Sequence, residues 1–260
     1  MSVDAATTGV GDARRRLLFA TSASVVGVVV LANVVSSEPL RWGGGTAVCA
    51  TLLFGYAANR RRSVTDGSIP DGAVGLANGV TLGRGLLVCA VGGFALAPPT
   101  WAWLPAVAFG LAVALDAVDG AVARRTRATA LGRRLDGTVD GLAVALGSAA
   151  AVAFGGLPAW YLLAGAGWVA FVGARYGRRA RGEPIEPLRP SRVRGPIGSA
   201  VMAVIAAALT PLAPQPWLTA TAAVVLGALT WSLGRDWAVV TGRWPRRRGA
   251  SSRGESGAGD

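Results

Sequence analysis

Long apolar runs alternate along this chain with short connections, and this alternation constrains the fold more than any other feature. A helix that spans a bilayer needs about 20 mostly apolar residues. Eight runs approach this length: 17–35, 43–58, 79–96, 101–123, 135–154, 160–174, 196–212 and 217–233. Glycine and alanine are frequent in them, which favours close packing between membrane helices. The runs predict an all-α fold, a polytopic membrane helical bundle.

The connections differ in charge between the two sides of the predicted bundle. Those on one side are short and nearly uncharged: 36–42, 97–100, 155–159 and 210–216. The other side holds nearly all the arginines: 14–16, 60–62, 124–134, 175–194 and 235–253. Cytoplasmic loops of membrane proteins carry such a basic excess. We therefore expect an integral plasma (inner) membrane protein with both termini in the cytoplasm. Four tryptophans fall at the predicted membrane interfaces: Trp42, Trp101, Trp160 and Trp217.

Composition removes several classes of function. The chain has no histidine and no lysine, and its 26 arginines face 14 acids for a net charge of +12. Without histidine there is no imidazole zinc site, no Ser-His triad and no histidine base. A high positive charge often indicates nucleic acid, but these arginines lie between apolar runs, so we expect a membrane and no nucleic-acid partner. Cys49 and Cys89 lie singly in apolar runs, which excludes a disulfide scaffold.

The first run has an alternative interpretation as a signal peptide. It follows a basic start, as the leader of a secreted protein does. Its apolar stretch is long, however, and no small-x-small cleavage site follows it. We therefore expect it to be a membrane helix.

Four aspartates lie within 25 residues, at the end of run 101–123 and the start of run 135–154. They are Asp116, Asp119, Asp136 and Asp140. At about 100° per residue, the first two share a helix stripe with Gly120 and Ala123, and the last two lie one turn apart on one face. A short loop makes the two helices antiparallel neighbours, so the four carboxylates can meet.

Such a group of carboxylates needs neutralisation, because like charges repel and are costly to desolvate. Aspartate oxygens suit a hard cation such as Mg²⁺, Mn²⁺ or Ca²⁺, and four carboxylates are enough for two ions. A divalent-cation site at a membrane boundary is typical of enzymes that act on phosphate groups, so the pattern favours phosphoryl transfer on a lipid. Two alternatives remain open, a cation or proton path and pairing with arginine. The arginines close in sequence are Arg124, Arg125, Arg127, Arg133 and Arg134.

The acidic segment resembles the signature of the CDP-alcohol phosphatidyltransferase family. Its first half, D-x-x-D-G-x-x-A-R, is matched by Asp116, Asp119, Gly120, Ala123 and Arg124. Its second half, G-x-x-x-D-x-x-x-D, is matched by Gly132, Asp136 and Asp140. Seven residues separate the two halves, one fewer than is common in the family, and this difference falls in the loop.

A shorter resemblance lies upstream. Asn78, Thr81 and Arg84 match the N-x-x-T-x-x-R segment that opens the family's first core helix. The resemblance implies a six-helix catalytic core over 76–240. Residues 14–75 then form an extension of two N-terminal transmembrane helices, and the polar tails 1–13 and 245–260 are predicted to be disordered. The resemblance also implies a homodimer.

The resemblance further implies an activity and a role for each matched residue. The phosphatidyl group of a CDP-diacylglycerol-type lipid passes to an alcohol acceptor, and CMP is released. Asp116, Asp119 and Asp136 hold one or two Mg²⁺ or Mn²⁺ ions, and Asp140 is a metal ligand, the general base, or both. The implied nucleotide-binding residues are Asn78, Thr81, Gly120, Ala123, Arg124 and Gly132.

Arginines surround the connection between runs 160–174 and 196–212. They are Arg175, Arg178, Arg179, Arg181, Arg189, Arg192 and Arg194. Guanidinium forks suit a phosphorylated acceptor such as glycerol 3-phosphate or inositol phosphate. The candidates at the adjoining helix ends are Arg175, Arg192 and Arg194. Cytoplasmic loops also carry arginine simply to meet anionic lipid, so this alternative stays open. A catalytically inactive membrane scaffold and a cation or proton transporter remain alternatives for the whole protein.

Overall fold

Helices make up the described part of this protein. The structure is a computed structural model that describes residues 34–62, 75–125, 130–186, 193–212 and 215–243, with single positions 27, 30 and 191. Its seven α-helices are α1 Pro39–Arg62, α2 Gly75–Phe94, α3 Leu104–Arg125, α4 Ala130–Ala153, α5 Leu162–Ala180, α6 Arg194–Ala208 and α7 Gln215–Val240. A single 3₁₀ turn, Ala159–Tyr161, precedes α5. No strand of a sheet occurs in these ranges, so the all-helical prediction is confirmed.

Seven of the eight predicted runs correspond to these helices, while run 17–35 lies almost wholly outside the described residues. At the arginine-rich end, all seven helices extend beyond the apolar stretches. The sixth run was expected to end at Ala174, but α5 continues to Ala180. Arginine is a good helix former, so a basic segment can continue a helix that began as an apolar run. Arg175, expected at the end of the helix, and Arg179, expected in the connection, therefore both lie within α5.

Trp42 differs from its predicted position at a membrane interface. It lies within α1, is buried, and packs on Phe94 of α2 with ring centroids 5.6 Å apart. Its indole Nε1 donates a hydrogen bond of 3.1 Å to the carbonyl oxygen of Ala90. A buried indole needs such an acceptor, and the neighbouring helix supplies it. The other three tryptophans named above are exposed.

Helix α2 lies among α1, α3 and α4 and contributes to the main core. Val88, Phe109, Val139 and Ile205 are fully buried there, on α2, α3, α4 and α6 respectively. Small residues allow close approach elsewhere in the bundle. A Cβ atom added at Gly165 of α5 would lie only 2.6 Å from the Cα atom of Ala145 on α4. Such contacts place neighbouring helix backbones almost against each other.

Consecutive helices alternate in direction, which brings distant parts of the sequence to the same end. Ser36, just before α1, donates a 2.8 Å hydrogen bond from Oγ to the carbonyl oxygen of Pro98, which follows α2. At this end, Gly156 after α4 also lies against Ala208 at the end of α6. The opposite end therefore collects the starts of α2, α4 and α6 with the ends of α3, α5 and α7. The predicted site residues belong to this opposite end.

One helix segment in the described ranges, Pro216–Val240, is long and apolar enough to cross a membrane. Three other apolar segments are shorter: Gly79–Phe94, Leu104–Ala117 and Arg194–Ala208.

Candidate active site

Three carboxylates from two helices converge at one end of the bundle. Asp116 projects from α3, and Asp136 and Asp140 project from α4 one turn apart. One oxygen atom from each of the three carboxylates can be selected so that all three atoms lie within 4.8 Å of one another. The three carboxylates therefore converge as predicted, but α3 and α4 are not the packed neighbours that the sequence predicts, because in the described ranges both helices pack mainly against α2. The side chain of Asp119, the fourth predicted member, lies outside the described residues.

A buried arginine contacts all three carboxylates. Arg84 Nη1 lies 2.6 Å from Oδ1 of Asp116 and 2.8 Å from Oδ1 of Asp136. Its Nη2 atom contacts Oδ1 of Asp140. The side chain of Arg84 is 2% exposed, whereas those of the aspartates are 44–46% exposed. The guanidinium thus closes the inner side of the cluster and leaves the carboxylates accessible from outside.

The sequence interpretation had not placed Arg84 in the site. Pairing of the aspartates with arginine was an alternative to metal binding, but the arginines expected as partners were those of segment 124–134. Their side chains lie outside the described residues. Two signals were available: the match of Arg84 to the upstream N-x-x-T-x-x-R segment, and its position as a single arginine within the apolar run 79–96. An arginine in such a run usually faces the bundle interior and pairs there. Its partners, however, are 32 to 56 residues away in sequence, beyond the reach of local patterns.

Pairing with Arg84 neutralises the cluster only in part. Three carboxylates and one guanidinium carry a formal net charge of −2 among these four side chains. Oxygen donors at this spacing and with this charge fit a hard divalent cation. The residues present therefore fit the predicted metal site, with the open carboxylate side as the point of access.

The predicted nucleotide-binding residues lie on the same three helices. Thr81 is buried on α2, one turn before Arg84. The others have side chains outside the described residues: Asn78, Gly120, Ala123, Arg124 and Gly132. Their backbone positions fall on α2, α3 and α4, close in sequence to the acidic cluster.

A second charged group lies at the same end of the bundle, on α6 and α7. Arg194 Nη2 forms a 2.8 Å ion pair with Oδ2 of buried Asp236. Arg235 lies 3.3 Å from the other oxygen of Asp236 and donates a 2.7 Å hydrogen bond to Ser191 Oγ. The carboxylate of Asp236 thus fixes Arg194, a predicted acceptor-binding residue. Arg192, another such residue, lies outside the described residues.

Arg175 has no acidic partner within the described ranges, unlike Arg178, Arg181 and Arg194. Its guanidinium lies 5.8 Å from the ring centroid of Phe171, and its buried Nε has no hydrogen-bond partner there. Burial lowers the pKa of Arg175, and the positive charges of Arg179 and Arg194 lower it further. By contrast, Arg178 and Arg181 are both paired with Glu183, at 2.8 and 2.6 Å. An anion beside Arg175 would relieve the excess positive charge.

Comparison with known proteins identifies the family. A family model described as CDP-alcohol phosphatidyltransferase matches residues 74–234, more than half of the chain. The chain belongs to the CDP-alcohol phosphatidyltransferase family. This membrane-associated family of transferases moves a phosphatidyl group from a CDP-alcohol and is typically dependent on a divalent metal. No curated protein and no solved structure matches the chain. All four helices that contribute Arg84, the acidic cluster and Arg175 lie within the CDP-alcohol phosphatidyltransferase match.

Proposed function

We propose that this protein is an integral membrane phosphotransferase of phospholipid synthesis. It transfers the phosphatidyl group of CDP-diacylglycerol to an alcohol acceptor, a phosphorylated polyol such as glycerol 3-phosphate or inositol phosphate, and releases CMP. One observation carries the proposal. The carboxylates of Asp116, Asp136 and Asp140 converge within 4.8 Å inside the segment that matches the phosphatidyltransferase family.

The metal-binding residues in this proposal are the three clustered aspartates together with Asp119. They would hold one or two Mg²⁺ or Mn²⁺ ions on the pyrophosphate of the CDP-linked lipid. A bound divalent ion offsets the negative charge on a transferring phosphoryl group. The support is chemical, since the donors are carboxylate oxygens with a residual negative charge and an open outer side.

The chain's own residues account for the remaining chemistry. The acceptor hydroxyl oxygen forms a bond to the lipid-side phosphorus, and the bond from that phosphorus to the bridging oxygen of CMP breaks. The bond electrons leave with CMP, and the hydroxyl proton passes to a carboxylate oxygen of Asp140. Asp140 can serve as this base, as a metal ligand, or as both. Its partial exposure supports the role, because the acceptor must reach within hydrogen-bond distance of a base.

Nucleotide contacts come from residues on the helices around the aspartates. Asn78 and Thr81 of α2 and the signature residues Gly120, Ala123, Arg124 and Gly132 would line the CDP site. Gly120 and Ala123 are small and would let cytidine approach the helix, and Arg124 would meet phosphate.

The phosphate of the acceptor would bind the arginines of α5 and α6. Arg175 supports this, because its guanidinium is partly buried among like charges and lacks a carboxylate partner in the described ranges. Arg194, held by Asp236, and Arg192 complete the proposed pocket. A guanidinium fork binds phosphate through two parallel hydrogen bonds, which favours a phosphorylated acceptor over a neutral one.

Exposed apolar side chains support a polytopic arrangement in the membrane. Leu52 on α1 is 69% exposed and Val224 on α7 is 73% exposed, and both helices carry further exposed apolar residues. Broad apolar surfaces of this kind indicate contact with lipid or with another protein. We propose a six-helix core over 76–240 with a two-helix extension over 14–75, inserted in the plasma membrane as a homodimer. The catalytic end would face the cytoplasm.

The decisive experiment measures CMP release by purified protein in detergent with CDP-diacylglycerol and Mn²⁺ or Mg²⁺. Glycerol 3-phosphate, inositol 1-phosphate, free inositol and serine are tested in parallel, each with and without EDTA. We expect release with one phosphorylated polyol, abolished by EDTA. Release with serine or free inositol alone would overturn the acceptor class. Absence of release with every acceptor, despite metal binding by the protein, would contradict the proposed enzyme.

A further inference from the structure

We propose that Arg84 is an internal counter-cation that competes with the divalent metal for the acidic cluster. Without metal, it holds Asp116, Asp136 and Asp140 together, and its positive charge lowers the affinity of the site for the ion. This inference rests on the metal site of the proposed function. It adds a residue outside the aspartate signature and a mechanism that sets metal affinity.

The geometry makes one guanidinium serve three carboxylates. Two nitrogens of Arg84 engage Oδ1 of all three aspartates, which belong to two other helices. A planar guanidinium carries five donors in a fixed fork, so it can satisfy several acceptors at once where a lysine acts as a point charge. Arg84 therefore links α2 to α3 and α4 through the cluster itself.

Burial ensures that this cation stays in the site. Arg84 is 2% exposed and is followed by Gly85, at which an added Cβ would overlap Leu53 of α1. A buried charge deprived of its partner is strongly destabilising. Arg84 can therefore not leave for solvent when a metal arrives, and the two cations must share the carboxylates.

Two opposite effects then act on metal affinity. A residue that orients metal ligands from behind usually strengthens binding, and its loss weakens binding by about 10- to 100-fold. A fixed positive charge repels the ion. For a unit charge and a divalent ion about 5 Å apart, the Coulomb term outweighs the orienting effect even at an effective dielectric constant of about 20. Since Arg84 contacts Oδ1 of every clustered aspartate, we expect repulsion to dominate.

The test compares Mn²⁺ binding and thermal unfolding of the full chain in detergent. Arg84→Gln removes the charge and retains a hydrogen-bonding side chain, and Arg84→Lys retains the charge without the fork. Arg181→Gln is the matched control, because it removes one positive charge from the same end of the bundle at an exposed residue paired with Glu183. Mn²⁺ affinity is measured by calorimetry, and melting is followed in EDTA and again with saturating Mn²⁺.

We expect Arg84→Gln to bind Mn²⁺ at least about tenfold more tightly than the wild type. In EDTA it should melt at a lower temperature than the wild type, and saturating Mn²⁺ should raise its melting temperature by more than it raises that of the wild type. Arg181→Gln should match the wild type in Mn²⁺ affinity, in melting temperature in EDTA and in the rise of that temperature with Mn²⁺. Equal or weaker Mn²⁺ binding by Arg84→Gln, with a wild type that binds Mn²⁺, would overturn this inference and leave the proposed function standing. Absence of binding by both proteins would overturn both.

If Arg84→Gln does not fold, Arg84→Lys provides the test instead. We expect Arg84→Lys to melt below the wild type in EDTA, because a single ammonium cannot engage three carboxylates with the same geometry. Added Mn²⁺ should raise its melting temperature by no more than it raises that of the wild type, because the repelling positive charge is retained. A wild-type melting temperature in EDTA, or a larger rise with Mn²⁺ than the wild type shows, would overturn the inference.

Discussion

Arg194 and Asp236 meet through two nitrogens and one oxygen. Nε and Nη2 of Arg194 each lie 2.8 Å from Oδ2 of Asp236, which joins the start of α6 to the end of α7. The carboxylate is buried, whereas the arginine is 42% exposed. The pair therefore presents a guanidinium held at its inner edge and accessible at its outer edge, as a phosphate-binding group requires.

Asp236→Asn tests whether this carboxylate positions Arg194. The amide keeps the shape but removes the charge that holds the guanidinium. We expect KM for the phosphorylated acceptor to rise about tenfold, the loss of roughly one charge-assisted hydrogen bond, with KM for CDP-diacylglycerol unchanged. Steady-state CMP release with each substrate varied in turn measures both constants. Glu183→Gln, the same change in charge within an exposed ion pair, should leave both at wild-type values. A parallel rise in both constants for Asp236→Asn would instead indicate general disruption.

Arg175→Gln tests the acceptor pocket directly. Removal of a guanidinium that binds phosphate should raise KM for the acceptor by about 10- to 100-fold, because hydrogen bonds to charged groups contribute about 1.5–3 kcal/mol. KM for the CDP-lipid should change little. The same kinetic assay provides the measurement, with Arg181→Gln as the control for lost charge. Equal effects on the two substrates would refute an acceptor role for Arg175.

Asp140→Asn tests the base and metal-ligand roles of the last signature aspartate. An amide cannot accept the acceptor's proton and is a poorer ligand for a hard cation, so we expect CMP release to fall below about a tenth of the wild-type rate. The protein should still be recovered in the membrane fraction. Glu38→Gln makes the same carboxylate-to-amide change at the opposite end of the bundle and should retain activity. Activity of Asp140→Asn above that level would exclude Asp140 as the base.

Gly165→Ala tests the close contact between α4 and α5. The new methyl group would lie 2.6 Å from the Cα atom of Ala145, so one helix backbone must move. Overpacking of this kind costs about 1–3 kcal/mol of unfolding free energy. Thermal unfolding in detergent should show the loss. Gly173→Ala on the same helix meets nothing within 4 Å and should be neutral or slightly stabilising. Similar melting of both variants would show that the bundle absorbs the extra methyl group.

Much of the site follows from patterns local to the chain. Helical spacing places Asp136 and Asp140 on one face, and a short connection keeps the end of α3 and the start of α4 at the same end of the bundle, although both helices pack against α2 rather than against each other. The carboxylates of these helices therefore converge as the sequence predicts. The family assignment also follows from these residues, because the signature spans only 25 positions and is complete.

Other features depend on contacts that sequence spacing does not encode. The partners of Arg84 lie on two later helices, and the partner of Arg194 lies 42 residues away on α7. Trp42 is a residue type typical of membrane interfaces, but here it is buried, and its indole donates a hydrogen bond to a backbone carbonyl on α2. Each outcome depends on which helix faces which.

The sequence by itself determined the helical segments, the acidic faces of α3 and α4, and the family, because each depends on residues within a few turns of one another. Only the tertiary structure decided which cation meets the aspartates and which arginines are neutralised. Those outcomes depend on side chains from separate helices, whose separation is set by packing at small residues such as Gly165 and by the burial of groups such as Arg84. A buried charge takes the partner that packing brings within reach, whatever their distance along the chain.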